Sequence, residues 1–162
     1  MEKNMKRLPL LAIIMGIASL FPVIVCSAGV IFFPADRPVP GLMMALVEYS
    51  ALLLAFTGAV HWGLALESPA IVAVPGMART DNRRLLLGGL PVLIGWLAIH
   101  VTFLGHMTIG LAVLLAGFGG VFLAERAAWR RGDLPSGYLA LRLCVTVVVV
   151  TCLAAVLLVR LV

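Results

Sequence analysis

Few side chains in this sequence could do chemistry in an apolar setting, and most stand alone. Glu48 is the one carboxylate that falls inside a long apolar stretch, residues 45–66, ALVEYSALLLAFTGAVHWGLAL. A carboxylate inside a membrane is costly and often marks a proton or ion path, although a few residues from a helix start it could equally cap or hydrogen-bond locally. His61 and Trp62 stand near the other end of that stretch. A lone histidine there can relay a proton or serve as a structural donor. Arg126 and Arg142 supply a second group of polar side chains, and His100 and His106 a third. The arginines offer paired donors to an oxyanion, and tryptophan favours the membrane–water boundary. No paired aspartates, HExxH, GxSxG or glycine-rich phosphate loop occurs, so no catalytic residue is assigned. Only a set built from His61 and Tyr138 leaves an intramembrane enzyme open.

The elements that must position these groups are membrane helices. Of the 162 residues, 63% are hydrophobic and 12% charged, about half the charged share of a soluble domain. The expected fold is all-α, a single integral membrane domain over residues 1–162. Its five transmembrane helices are expected at about 8–33, 42–66, 85–104, 106–124 and 139–161, each long enough to span a bilayer. The net charge of +5 is spread between apolar segments, where membrane topology accounts for it and nucleic-acid binding does not.

In chain order, residues 1–7 form a basic leader and Leu8–Phe33 an apolar run. That run is about twice a secretory h-region, so a retained first helix is expected. Val25 before Cys26 is too large for lipoprotein cleavage. Pro22 should kink the run, and Gly16 with Ser19 offers a small packing patch. Residues 34–41, PADRPVPG, read as a turn. On the second helix, Glu48, Ala51, Ala55, Ala59 and Trp62 share one side, with Gly58 at its margin, while Ser50, Thr57 and His61 face the opposite way. A small face and a polar face on one helix imply neighbours on both sides, which puts this helix at the centre.

Residues 67–84 form the first long connection. Ile71–Met77 is apolar enough to lie along the membrane surface, and Thr80-Asp81-Asn82 reads as a helix start. The third helix carries Gly88, Pro91, Gly95 and Thr102 on one side and Gly89, Trp96 and His100 on another. Gly105 alone separates it from the fourth, implying a tight antiparallel hairpin. Ala112, Ala116 and Gly120 make a further small face. ERAAWRRGDLPSG, residues 125–137, reads as a basic connection, and Arg142 lies one turn inside the last helix, able to snorkel to the headgroups.

Cys26, Cys144 and Cys152 read as small apolar fillers. The last two are eight residues apart, roughly 12 Å on a helix, too far for a disulfide. Glu48, His100, His106 and the methionines 43, 44 and 107 could gather at one end as a soft copper site, but no two form a metal-spaced pair on one helix. Neither a metal nor another cofactor is expected.

Ten basic residues fall on one side of this topology and two on the other. The positive-inside rule then places the amino terminus in the cytoplasm and the carboxyl terminus outside. The same arrangement gathers His61, Trp62, Arg126 and Arg142 at the inner face, as a candidate seat for an anionic lipid headgroup; the resemblance described below adds Tyr138 to this ligand-binding set. Glu48 and His100 fall in the outer half, as a candidate polar pathway.

Tyr49–Leu66, above all FTGAVHWGLAL at residues 56–66, Leu90-Pro91 with Gly95-Trp96, and DLPSGYLALRLCVT at residues 133–146 resemble an uncharacterised family of short bacterial membrane proteins. This domain of unknown function has mitochondrial inner-membrane relatives. The chain departs from its pattern at Gly137, where an aromatic is expected before the tyrosine. The resemblance implies a five-span fold and a bacterial inner-membrane location, without an activity, and it draws attention to His61, Trp62, Gly63, Tyr138, Arg142 and Thr146. Together these readings favour a non-enzymatic bundle that binds a lipid, a membrane-protein partner or a second copy of itself. The alternative is a small transporter or channel component using Glu48 and His100.

Overall fold

A computed structural model describes residues 10–33, 41–66, 77–132, 134 and 137–161. The basic leader, the turn at 34–40, the connection at 67–76 and most of 133–136 lie outside the described residues. Every regular element among those described is helical: α1 (Leu10–Ala18), α2 (Phe21–Phe32), α3 (Leu42–Leu66), α4 (Met77–Phe103), α5 (Met107–Arg130) and α6 (Tyr138–Leu161). Five stretches are long and apolar enough to cross a membrane: Leu10–Phe32, Leu42–Gly63, Asn82–Phe103, Met107–Arg130 and Tyr138–Leu161.

The first span is two helices. Pro22 sits in the first turn of α2, where it has no N–H to give back to the preceding turn. The chain turns at Ser19 and Leu20. The Ser19 hydroxyl donates to the Gly16 carbonyl at 2.7 Å, and the Ser19 carbonyl accepts the Tyr49 hydroxyl of α3 at 2.9 Å. The break expected at Pro22 thus becomes a tie to α3. Gly16 packs beside Leu141 of α6, whose Cδ1 would lie 3.3 Å from a Cβ at that position.

α3 is central. It packs against α2, α4 and α5, and 50% of its span is buried, the largest share among the five. Its small side meets α4. A Cβ on Gly58 would collide with the Gly88 carbonyl, and one on Gly95 would lie 2.9 Å from the Ala51 carbonyl oxygen. Its other side buries Ser50, Thr57 and His61. The core between α2, α3, α5 and α6 is filled by Val23, Leu46, Leu54, Leu111, Leu114, Phe118, Val149 and Leu153.

α4 begins at Met77, so Thr80-Asp81-Asn82 lies inside the helix rather than at its start. Met77-Ala78-Arg79 are good helix formers and extend it beyond the apolar span. Gly105, at φ 92°, ends the helix pair's first member. Its N–H bonds the Thr102 carbonyl, and the His106 N–H reaches back to Val101. This left-handed cap needs glycine and satisfies the free carbonyls at the helix end. Gly137, at φ 92°, opens α6 in the same backbone region, which gives a physical reason for glycine where an aromatic was expected.

α5 departs most from expectation. It continues to Arg130, so Glu125 and Arg126 belong to a helix and not to the connection. The reason is periodicity: Leu114, Phe118, Val121, Glu125 and Ala128 form one buried stripe, so the face that packs on the bundle runs past the last apolar run.

Candidate functional site

Glu125 is buried completely at the end of α5. Three side chains from two other helices reach it. Arg142 Nε of α6 donates to Oε2 at 2.7 Å, Tyr138 Oη of α6 donates to Oε1 at 3.0 Å, and His61 Nε2 of α3 lies 3.3 Å from Oε1. Tyr138 and Arg142 are four residues apart and therefore lie on one helix face. His61 reaches the same point because α3 ends where α5 ends and α6 begins.

A carboxylate buried this fully is tolerated only when it is paired and hydrogen-bonded. Here both oxygens are taken, one by a guanidinium. Arg142 therefore turns into the bundle and is itself buried; it does not snorkel to the surface. Its other nitrogens are less well served. Nη1 and Nη2 of Arg142, and Oγ1 of Thr146 one turn further along α6, are buried without a hydrogen-bond partner. Each unmet buried donor costs about 1–3 kcal/mol, more for a charged group.

Of the five residues expected at this end, the structure gathers His61, Tyr138 and Arg142 around Glu125. Trp62 stands apart, exposed, with Nε1 donating to the Leu85 carbonyl of α4 at 3.1 Å. Arg126 is exposed on the outer side of α5. It lines a groove of about 500 Å³ with Phe122, Trp129, Gly137, Leu139, Ala140 and Leu143. A second, larger groove of about 970 Å³ runs between α3 and α4, past Ala55, Ala59, Trp62, Gly88, Gly89 and Leu93, and is almost wholly apolar.

At the opposite end, Glu48 and His100 are both exposed on the helix surfaces. His100 stacks on Trp96, ring centres 5.4 Å apart and planes within 9°. Among the described residues, no three of His, Cys, Asp and Glu converge in a way that could hold a metal ion.

A family model described as a protein of unknown function, DUF3429, matches residues 8–158. The chain belongs to the DUF3429 family. Transmembrane protein 69 of Xenopus tropicalis is 31% identical to this DUF3429 chain over 150 residues, which is 91% of the chain and 54% of that relative. The chain thus spans about half the length of the curated relative it matches. No solved structure matches it. Membership and the five spans make this DUF3429 chain a multi-pass membrane protein.

Sequence reasoning missed Glu125, the residue on which the cluster converges. Its signal was present in the buried stripe of α5, in which Glu125 stands seven residues after Phe118 and four after Val121.

Proposed function

We propose that this chain is a non-enzymatic, lipid-binding bundle of the bacterial inner membrane, with the Glu125 end in the cytoplasm. The observation that carries the reading is the groove over the α5–α6 seam. Arg126 stands at its side, and Phe122, Trp129, Leu139 and Leu143 line it. A cation beside apolar walls suits an amphiphile with an anionic head and acyl chains. The buried ion pair fixes the seam beneath and so holds the groove walls in register. Arg126, Arg130 and Arg131 cluster at this end of the bundle, and the ten-to-two division of basic residues supports a cytoplasmic placement.

The lipid reading is tested by native mass spectrometry of the full chain exchanged into vesicles of phosphatidylglycerol or phosphatidylcholine. The anionic lipid is expected to be retained in preference. Arg126→Gln should lower its retention about fivefold, the value of one arginine near an anionic surface. Equal retention of the two lipids, or no response to Arg126→Gln, would defeat it.

Orientation has its own test. Leu104→Cys and Arg130→Cys are made separately in a chain lacking its native cysteines, and intact cells are treated with a membrane-impermeant maleimide. Leu104→Cys should label and Arg130→Cys should not; the reverse pattern would invert the protein.

A further inference from the structure

Glu48 stands where a lone carboxylate is costly. The α3 span begins at Leu42, so Glu48 lies about 9 Å inside that end of it. Its side chain is exposed, and among the described residues none hydrogen-bonds or ion-pairs with it. In a single protomer it therefore faces lipid. Ionisable side chains inside a membrane almost always face protein or water and have a partner. The glutamate stem is also shorter than the lysine and arginine stems that carry a charge to the headgroups.

The groove between α3 and α4 leads to this carboxylate. Ala55 and Ala59 of α3 line one wall, and Leu86 and Leu93 of α4 line the other. Seven residues make about two helical turns. Glu48 therefore continues the wall that holds Ala55. His100, also exposed, continues the wall that holds Leu93. The two stand at nearly one height. Gly95 faces Ala51 across the antiparallel pair, which puts Glu48 level with Ala98 and about 3 Å from the level of His100. Trp96 stacks on the His100 ring, which covers a ring face and not the nitrogens at the edge.

A two-fold axis along the membrane normal, passing through this groove, exchanges its walls. α3 of one protomer then faces α4 of its partner, and each Glu48 meets the partner's His100 at matching depth. A two-fold interface needs a self-complementary patch, and this face is one. Acid and imidazole stand on opposite walls, and Ala55 and Ala59 leave room for the partner's Leu86 and Leu93. An imidazole donates to a carboxylate or accepts from a carboxylic acid, so the pair closes in either protonation state. Close packing and interhelical hydrogen bonds are what hold helices together in lipid. A different protein would have to bring its own base to that depth; a second copy of this chain already carries it.

We infer that the α3–α4 face is a two-fold interface between copies of this chain, closed by reciprocal Glu48–His100 pairs. It makes no use of Arg126 or of the α5–α6 groove, so it stands or falls separately from lipid binding there.

Two full-length chains are co-expressed, both with Cys26, Cys144 and Cys152 replaced by alanine, one carrying Glu48→Cys and the other His100→Cys. Their membranes are oxidised with copper phenanthroline. A mixed disulfide dimer is expected, because the two cysteines meet across the axis while one Glu48–His100 pair remains. Either chain expressed alone should give little cross-linked product, since each cysteine then faces a histidine or a glutamate. Energy transfer between labelled copies diluted in vesicles gives the dissociation constant. His100→Leu should weaken the dimer about thirtyfold, the value of two interhelical hydrogen bonds. Glu48→His combined with His100→Glu exchanges the members of each pair and should restore it. Self-cross-linking of Glu48→Cys as strong as the mixed product would put α3 against α3 and overturn the interface. Equal dimerisation of the parent and His100→Leu would overturn the pairing. A parent chain that stays monomeric in vesicles, or cysteines that cross-link only to another protein, would overturn the second copy as the occupant of this face.

Discussion

Glu125→Ala is expected to destabilise the bundle by about 3–5 kcal/mol, the usual cost of leaving one member of a buried pair uncompensated. Three consequences combine in that figure. Arg142 keeps its charge and its burial but loses its partner, Tyr138 loses an acceptor, and α3 loses the tie through His61. In a thermal scan of the detergent-solubilised protein the midpoint should fall on the order of 10 °C. The pair itself is a weak source of stability, because the cost of desolvating two charges offsets most of their attraction. Glu125→Gln combined with Arg142→Met should therefore recover most of the loss. The glutamine oxygen still accepts from Tyr138 and His61, and methionine occupies the arginine's path without a charge. A Glu125→Ala midpoint within a degree or two of the parent would mean that the carboxylate does not hold the three helices together.

The second large effect concerns α3 and α4, and it separates two kinds of glycine. Gly58→Ala places a methyl group against the Gly88 carbonyl, which is backbone and cannot rotate aside. The helices must move apart, at a cost of about 1–3 kcal/mol or more. Membrane helices depend on such close approach because lipid removes the hydrophobic drive between them. Gly89→Ala lies one residue beyond Gly88 on α4, yet nothing stands within 4 Å of its added Cβ. It should stabilise by about 0.5–1 kcal/mol, since alanine loses less entropy than glycine in a helix. Opposite signs in unfolding midpoints for these two alanine variants are the expected result. A shared sign would show that the contact between Gly58 and Gly88 does not set the spacing of α3 and α4.

Much of the fold was legible because apolar length and basic loops are one-dimensional signals. The five spans, the central helix with a small and a polar face, and the hairpin at Gly105 all follow from runs and periods. Pro22 likewise declared the break in the first span. The site was legible only in part. His61, Tyr138 and Arg142 were marked by type and position, but what joins them was hidden. Glu125 opens the stretch ERAAWRRGD, where the local charge density resembles a loop, and the eye ends the helix at the last alanine. Burial there is decided by the phase of α5 against its neighbours and not by local composition. Arg142 was read outward for the same reason. Whether an arginine one turn inside a helix snorkels or turns inward depends on the neighbouring helix holding a carboxylate at the same height, and its own segment carries no trace of that. Trp62 adjoins His61 in sequence but lies about 100° away around the helix, which is why the two serve different neighbours.

Glu125 also precedes its neutralising arginine by 17 positions in the order of synthesis. While α5 enters the bilayer, the carboxylate must either take up a proton or remain within reach of water near the helix end, five residues from Arg130. Only when α6 follows can the carboxylate be drawn in as an ion, together with Tyr138 and Arg142. A chain interrupted before α6 would retain an unmatched acid near the end of α5, because the arginine that neutralises it lies on the helix still to come.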